Sequence, residues 1–275
     1  MRALFITLNL KGCGNMSLPV ALQLFSVRDD MAADFEGTLK KVRSMGYQGV
    51  EFAGLYGNDV EMVKKLLLEN DLEPVSAHIS IDEFLSDLDG TIDRYLEIGC
   101  KYAAIPYLVE ELRPGGPKWG ETVENIKKIA LAAKKKGLQL MYHNHDFEFA
   151  KVVPGGTGAV FGRHNKGEKI YDLFLKDTDP DLVFFEMDVY WTVIGQNDPV
   201  EYMKKYPDRI KLLHIKDRAI LGQSGFMNFE MIFKQAYQIG VKEYYVELEG
   251  MPDGRTQFAG VKGCADYLLK AKFVK

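Results

Sequence analysis

The chain has 275 residues, with 35 Lys and Arg against 39 Asp and Glu for a formal net charge of −4, 47% hydrophobic residues and three cysteines. That length and apolar content suit one large barrel or two modest domains, and exclude a disordered chain or a small stapled scaffold. Mild acidity with interspersed charge offers no stripe of Lys and Arg to follow a phosphate backbone, so nucleic acid is not an expected partner.

At the N-terminus, Arg2, the apolar residues 3–8 and then Lys11-Gly12-Cys13 have the outline of an export signal, but the apolar core is short and Lys11 interrupts it. Residues 1–17 read as a leader or N-terminal extension with Met16 as an alternative start, and residues 18–275 as one catalytic domain in a cytoplasmic protein, export being the alternative. No apolar run reaches the ~18–20 residues needed to span a bilayer, so no membrane is expected as partner. Cys13, Cys100 and Cys264 are odd in number and form no Cys-x-x-Cys, which argues against a disulfide framework and a cysteine metal site.

Short apolar runs beginning near Leu22, Gly49, Pro74, Tyr102, Gln139, Leu182, Ile210 and Tyr244 read as eight strands. Between them, residues 35–45, 60–69, 81–98, 123–136, 200–206 and 229–239 carry apolar positions at three- and four-residue spacing and read as amphipathic helices. A unit of helix, glycine and strand recurs at Gly46, Gly99, Gly137 and Gly240, as expected where a helix ends on a left-handed residue and turns into a buried strand. Eight strand–helix repeats at this length predict a single (β/α)8 TIM barrel. The rival, a doubly wound open sheet, lacks a G-x-G-x-x-G after the first strand, and Pro154-Gly155-Gly156-Thr157-Gly158 follows the fifth. Residues 151–169 form the longest connection, read as a solvent loop with a lid as the alternative.

In such a barrel the chemistry sits at the C-terminal ends of the strands. There the sequence offers Glu51 after the second strand, His78 after the third, Tyr107 after the fourth, His143, His145 and Glu148 after the fifth, and Glu186 and Asp188 on the sixth. His214, Lys216 and Asp217 follow on the seventh, and Glu247 and Glu249 on the eighth. Asp188, His214 and Glu247 come from three successive strands about 4.8 Å apart, next to the fifth strand's His143-Asn144-His145, so inward-facing groups can converge. Imidazole mixed with carboxylate suits a borderline divalent ion such as Mn, Co or Zn, with open positions for substrate oxygens.

Leu22-Gln23-Leu24-Phe25-Ser26-Val27-Arg28, Tyr142-His143-Asn144-His145-Asp146-Phe147-Glu148-Phe149, Glu186-Met187-Asp188-Val189-Tyr190-Trp191 and His214-Ile215-Lys216-Asp217 together resemble the sugar phosphate isomerase/epimerase group of xylose-isomerase-like TIM barrels. The resemblance runs from about Leu18 to the C-terminus and implies a divalent metal held at the ends of strands five to eight, with chemistry on a keto-sugar or related polyol. It places Asp188, His214 and Glu247 at the family's ligand positions and His143 where many relatives carry glutamate, a departure shared with inosose dehydratase-like proteins. His143 can ligate through a ring nitrogen but lacks the glutamate's charge, which puts the family's two-glutamate proton shuttle in question.

The expected site therefore has His143, Asp188, His214 and Glu247 as metal ligands, and Glu148 as an alternative ligand on the fifth strand. His145, Glu148, Glu247 and Lys216 are the acid, base and charge-supplying candidates; Lys216 alternatively forms a salt bridge with Glu247 or Glu249, and Glu148 alternatively faces solvent. Glu51, His78, Tyr107 and Trp191 are expected to contact a small-molecule sugar. Bound to the metal, a carbonyl and its neighbouring hydroxyl acidify the intervening C–H, and return of the proton gives epimerisation or isomerisation. Loss of a β-substituent from the same enediolate gives instead a lyase or dehydratase of the 3-keto-glycoside or inosose type. A non-catalytic sugar-binding barrel is a third reading, and an endonuclease is disfavoured by the five histidines and the charge of −4. No phosphate-binding glycine loop follows the last strands, which favours an unphosphorylated substrate. A homodimer is expected by analogy alone.

Overall fold

A computed structural model of the chain describes residues 19–153, 159–161, 166–241 and 243–274. Eight parallel strands close into a ring: β1 (Ala21–Gln23), β2 (Gly49–Phe52), β3 (Glu73–His78), β4 (Tyr102–Ile105), β5 (Gln139–His143), β8 (Val183–Asp188), β9 (Ile210–Ile215) and β10 (Glu243–Val246). β1 pairs with both β2 and β10, so no open edge remains, as the (β/α)8 reading requires and a doubly wound sheet forbids. The long connection after β5 holds a small antiparallel hairpin, β6 (Lys151–Val152) with β7 (Ala159–Val160), where a plain loop or lid was expected. Most of its glycine-rich part, like the leader at 1–17, lies outside the described residues.

The helices alternate with the strands as α1 (Arg28–Ala33), α2 (Phe35–Ser44), α3 (Val60–Glu69), α4 (Ile81–Ser86), α5 (Leu88–Ile98), α6 (Trp119–Lys136), α7 (Ile170–Asp177), α8 (Val189–Ile194), α9 (Pro199–Lys205), α10 (Phe229–Gln238) and α11 (Gln257–Lys270). Gly99 and Gly137 end α5 and α6 with φ of 111° and 95°, a conformation that a side chain would oppose, and Gly46 and Gly240 repeat the turn. Residues 81–98 form two helices rather than the expected one. Asp87 breaks them: with φ −152° and ψ 79° its backbone leaves the helical region and ends α4, and its carboxylate accepts from Gly90 N–H at 3.1 Å to start α5. Asp34 does the same between α1 and α2, accepting from Gly37 N–H at 2.9 Å. Both carboxylates lie where a Cβ on the glycine would be, 2.0 Å away at Gly37 and 2.1 Å at Gly90.

Two apolar regions build the core. The larger packs the outer strand faces against the helices; the smaller, Ala21, Val75, Ala104, Met141, Leu212 and Tyr245 with Tyr102 and Phe184, plugs the barrel from within. Two register shifts interrupt the ladder. Val50 and Glu51 pair with Pro74 and Ser76, so Val75 is an extra residue in β3; Phe185 and Glu186 pair with Ile210 and Leu212, so Lys211 is an extra residue in β9. Since side chains alternate with period two, each extra residue turns every later one in its strand to the opposite face. These shifts bring His78 and His214 inside the barrel.

Replacing Asp87 by Ala removes the bond that starts α5 and is expected to cost about 1 kcal/mol, lowering the melting temperature by about 2–4 °C. Thermal unfolding of Asp87→Ala followed by circular dichroism checks this, and an unchanged midpoint would contradict the capping role.

Candidate active site at the mouth of the barrel

Alternation along the strands stacks the inward side chains in layers. Above the apolar plug of Met141, Phe184, Leu212 and Tyr245, two residues further along each strand, come His143, Glu186, His214 and Glu247; two further still are His145, Asp188, Lys216 and Glu249. Polar groups so deep must satisfy one another.

In the lower layer His78 Nε2 lies 2.8 Å from Glu186 Oε2, and His214 Nε2 lies 2.8 Å from Glu51 Oε2. Gln23 Nε2 donates to the same Glu51 oxygen at 2.9 Å, while Gln23 Oε1 accepts from Phe25 N–H at 2.6 Å. His143 Nδ1 is 3.2 Å from Glu186 Oε2 without forming a hydrogen bond. The other ring nitrogen of His214, Nδ1, faces Glu247 Oε2 at 3.1 Å. Beyond it Lys216 Nζ donates to Glu247 at 3.3 Å and Glu249 at 2.6 Å, and sits 4.7 Å from the centre of the Trp191 ring. Asp188 accepts from Trp191 N–H through Oδ1 at 2.7 Å, capping α8, which leaves Oδ2 buried with no partner.

The ionisation states follow from these neighbours. Burial alone would neutralise His214, but the charges of Glu186 and Glu51 outweigh it and hold the imidazole pKa well above its usual value. Burial likewise opposes charge on Glu186 and Glu247, yet His214, helped by His143 and His78, holds Glu186 well below the usual carboxylate range, and Lys216 with His214 does the same for Glu247. Burial and the nearby Glu186 push Glu51 upward. Burial raises Asp188 to about 7, with Lys216 opposing and Glu247 adding to the rise. Burial and His214 keep His143 neutral, and burial lowers His145 to about 4.

The four ligands expected from the sequence come together: donor atoms of His143, Asp188, His214 and Glu247 all lie within 4.8 Å of one another, as do those of an overlapping set, His78, His143, Glu186 and His214. These buried His, Asp and Glu side chains could bind a metal. The first set fits a divalent ion better. Its Asp188 Oδ2 is buried and unpartnered, its His143 is neutral, and its mixed nitrogen and oxygen donors suit a borderline cation. The second has an unpartnered oxygen too, Glu186 Oε1, but it would need the Nε2 nitrogens of His78 and His214, which are engaged by Glu186 and Glu51 at 2.8 Å each.

The remaining expected residues are dispersed around this cluster. Lys216 bonds both Glu247 and Glu249, and so forms the salt bridge foreseen as its alternative. His145 stands at the rim, stacked on Phe147 (ring centres 5.5 Å apart), with the edge of Tyr107 at 5.8 Å and Trp191 at 5.9 Å. Tyr107 is half exposed at 48%. His78 and Glu51 lie in the lower layer, and Glu51 is fully buried rather than open to a substrate hydroxyl. Glu148 neither faces solvent nor joins a ligand set: it is fully buried, accepting from the Tyr142 hydroxyl at 2.6 Å and from His145 N–H at 2.7 Å. Sequence reasoning gave no role to Glu186, Gln23 or Asn144. Glu186 stands two residues before Asp188, and that parity was the available signal. Asn144 joins the ends of β5 and β8, its Oδ1 accepting from Asp188 N–H at 3.1 Å and its Nδ2 donating to Asp188 O at 3.4 Å.

A closed parallel barrel with a buried imidazole–carboxylate cluster at its C-terminal mouth defines a (β/α)8 protein with a site that could bind a metal. The chain belongs to the xylose isomerase-like TIM barrel family, whose model matches residues 39–263, and within it to the sugar phosphate isomerase/epimerase proteins. A solved structure of a sugar phosphate isomerase/epimerase from Parabacteroides distasonis ATCC 8503 is 40% identical, covers 94% of this chain and 100% of its own, and superposes with a TM-score of 0.81. A second from the same organism is 36% identical, covers 96% and 100%, and gives 0.83. An inosose dehydratase from Clostridium perfringens (strain 13 / Type A) is 27% identical over 203 residues, 66% of this chain; the match spans 63% of the length of that curated relative. Among the described residues no helix is long and apolar enough to cross a membrane.

The buried Glu148 carboxyl generates a pH prediction. Burial raises its pKa from 4.5 to about 7 against the two hydrogen bonds that favour its charged form. Its folded pKa exceeds its unfolded one, so its contribution to stability is fully present below about pH 4.5 and is lost as pH rises through about 7. Against the non-titrating Glu148→Gln, the wild-type protein is expected to lose roughly 2–3 kcal/mol of relative stability between pH 5 and pH 8. Denaturant unfolding of both proteins across that range measures it, and parallel profiles would refute the assignment.

Proposed function

We propose that the protein is a divalent-metal-dependent isomerase or epimerase acting on an unphosphorylated keto-sugar or sugar derivative. The observation that carries this reading is the convergence of His143, Asp188, His214 and Glu247 at the open end of the barrel. A divalent ion there, with Mn, Co and Zn all compatible with the donors, would supply Lewis-acid polarisation of a substrate carbonyl and its neighbouring hydroxyl, acidifying the C–H between them.

The side chains around that position support the reading. His145 keeps a neutral imidazole whose Nδ1 is buried and unpartnered, and Phe147 and Tyr107 pack on its ring; burial makes it a weak base in the free protein, so its part in proton transfer would depend on the charge that substrate and ion bring. Lys216 stays charged: burial opposes this, but Glu247, Asp188 and Glu249 outweigh it. The ammonium therefore sets a positive charge beside Glu247, where it steadies negative charge growing on a substrate oxygen. Glu148 acts on His145 by holding its backbone N–H, and Asn144 ties the Asp188 strand to the His143 strand. The aromatic faces of Tyr107, Phe147 and Trp191 at the rim suit stacking against a sugar ring and exclude water from it. Lys216 is spoken for by two carboxylates, which supports a substrate without phosphate.

His143 favours a second reading. A neutral imidazole at the end of β5 takes the place of a charged carboxylate and removes one of two opposed glutamates, as a lyase or dehydratase on the same scaffold permits; the curated relatives are named inosose dehydratases.

Chelated protein is expected to lose turnover of ketoses or 3-keto-glycosides and to regain it with Mn²⁺, with Asp188→Asn lowering kcat/KM by more than the 10–100-fold typical of residues that only support ligands. In D2O, deuterium in an epimer or isomer identifies the first reading, and release of water or aglycone the second. Full turnover after chelation, or an unaltered rate in Asp188→Asn, would remove both.

A further inference from the structure

Glu51 is a fully buried carboxylate that belongs to neither the proposed ligands nor the proton carriers. It is the penultimate residue of β2, beside the register shift created by Val75, and three contacts define its surroundings. Gln23, itself fixed by Phe25 N–H, donates to Oε2 at 2.9 Å; His214 Nε2 meets the same oxygen at 2.8 Å; His78 Nε2 stands at 3.3 Å. Glu186 Oε2 also comes within 3.1 Å of His214 Nε2, but its hydrogen bond goes to His78. Glu51 is thus the acceptor for His214.

An imidazole has two nitrogens, and the hydrogen bond made by one decides what the other presents. Here Nε2 points down to Glu51 and Nδ1 up toward Glu247 at 3.1 Å. We propose that Glu51 is the positioning residue for His214: by accepting the Nε2 proton it fixes the ring plane and keeps that proton in place, so that the proton released when an ion binds is the one on Nδ1, whose lone pair then goes to the ion shared with His143, Asp188 and Glu247. Gln23 in turn aims Glu51. The inference rests on the metal reading above and extends it one layer down. A carboxylate that receives the distal proton of a ligating histidine orients the ring and makes it a stronger donor. The alternative metal set, with His78 and Glu186, would need Nε2 free, and the Glu51 hydrogen bond would then have to break. The two arrangements put the His214 proton on opposite nitrogens.

The test uses the full chain. Zn²⁺ and Mn²⁺ are titrated into wild-type, Glu51→Gln and Gln23→Ala proteins by calorimetry with a competing chelator, and circular dichroism checks the fold of each. Zn²⁺-loaded wild-type protein, ¹⁵N-labelled at its five histidines, is examined by long-range ¹H–¹⁵N spectroscopy. Glu51→Gln should weaken both ions by about 10–100-fold, with a smaller loss in Gln23→Ala, and the spectrum should show His214 protonated at Nε2 and metal-bound at Nδ1. The spectrum needs no variant, so it decides even where Glu51→Gln fails to fold. A metal on Nε2, or affinity in folded Glu51→Gln within twofold of wild type, overturns the Glu51 role while leaving the metal site standing. Wild-type protein that binds neither ion overturns the metal reading, and this inference with it.

Discussion

A carboxylate taken out of water inside a barrel must meet cations or proton donors at hydrogen-bond distance or lose its charge. The mouth of this barrel is built on that constraint. Glu51, Glu186, Asp188 and Glu247 are buried together, and His78, His214 and Lys216 are the groups that compensate them. Compensation is incomplete: Glu51, Glu186 and Asp188 each keep one buried oxygen without a hydrogen-bond partner, and Asp188, whose pKa is raised to about 7, lies nearest the upper rim. The deficit at Asp188 falls where His143, His214 and Glu247 turn their donors toward a common point, and a divalent cation would remove it.

The same constraint explains the two interruptions of an otherwise regular ladder. Val75 and Lys211 are extra residues, and each re-phases the strand that carries a compensating imidazole, His78 in β3 and His214 in β9. Below them Ala104, Met141, Leu212 and Tyr245 fill the barrel as a largely apolar floor. Such a floor keeps the dielectric around the ions low and their mutual attraction strong. Above, Tyr107, Phe147, His145 and Trp191 form an aromatic rim over the cluster.

Much of this was legible in the sequence because it is local. The helix–glycine–strand unit marks where a helix stops, and the ionisable residues after each strand mark the end where they gather, so the closed barrel and the convergence of His143, Asp188, His214 and Glu247 could be read in advance. What escaped depends on partners distant along the chain. Register shifts follow from pairing, and with them the depth of His78 and the burial of Glu51. The break at Asp87 was hidden by apolar spacing that continues across it. The helix α11 contains Gly260 and Gly263, poor helix formers, because a Cβ at either would meet Leu248 or Ile220 at 2.4–2.8 Å. Packing there overrides propensity. The buried state of Glu148 needed Tyr142 and the turn back to His145, neither evident from a carboxylate flanked by two phenylalanines.

The central claim is that the buried charges at the mouth are arranged around a single cation held by the upper ligand set. Anomalous diffraction at the manganese edge from crystals grown with Mn²⁺ tests it most directly. The account predicts one peak within coordination distance of His143, Asp188, His214 and Glu247. A peak between His78 and Glu186, or no peak with the four side chains ordered, would contradict it.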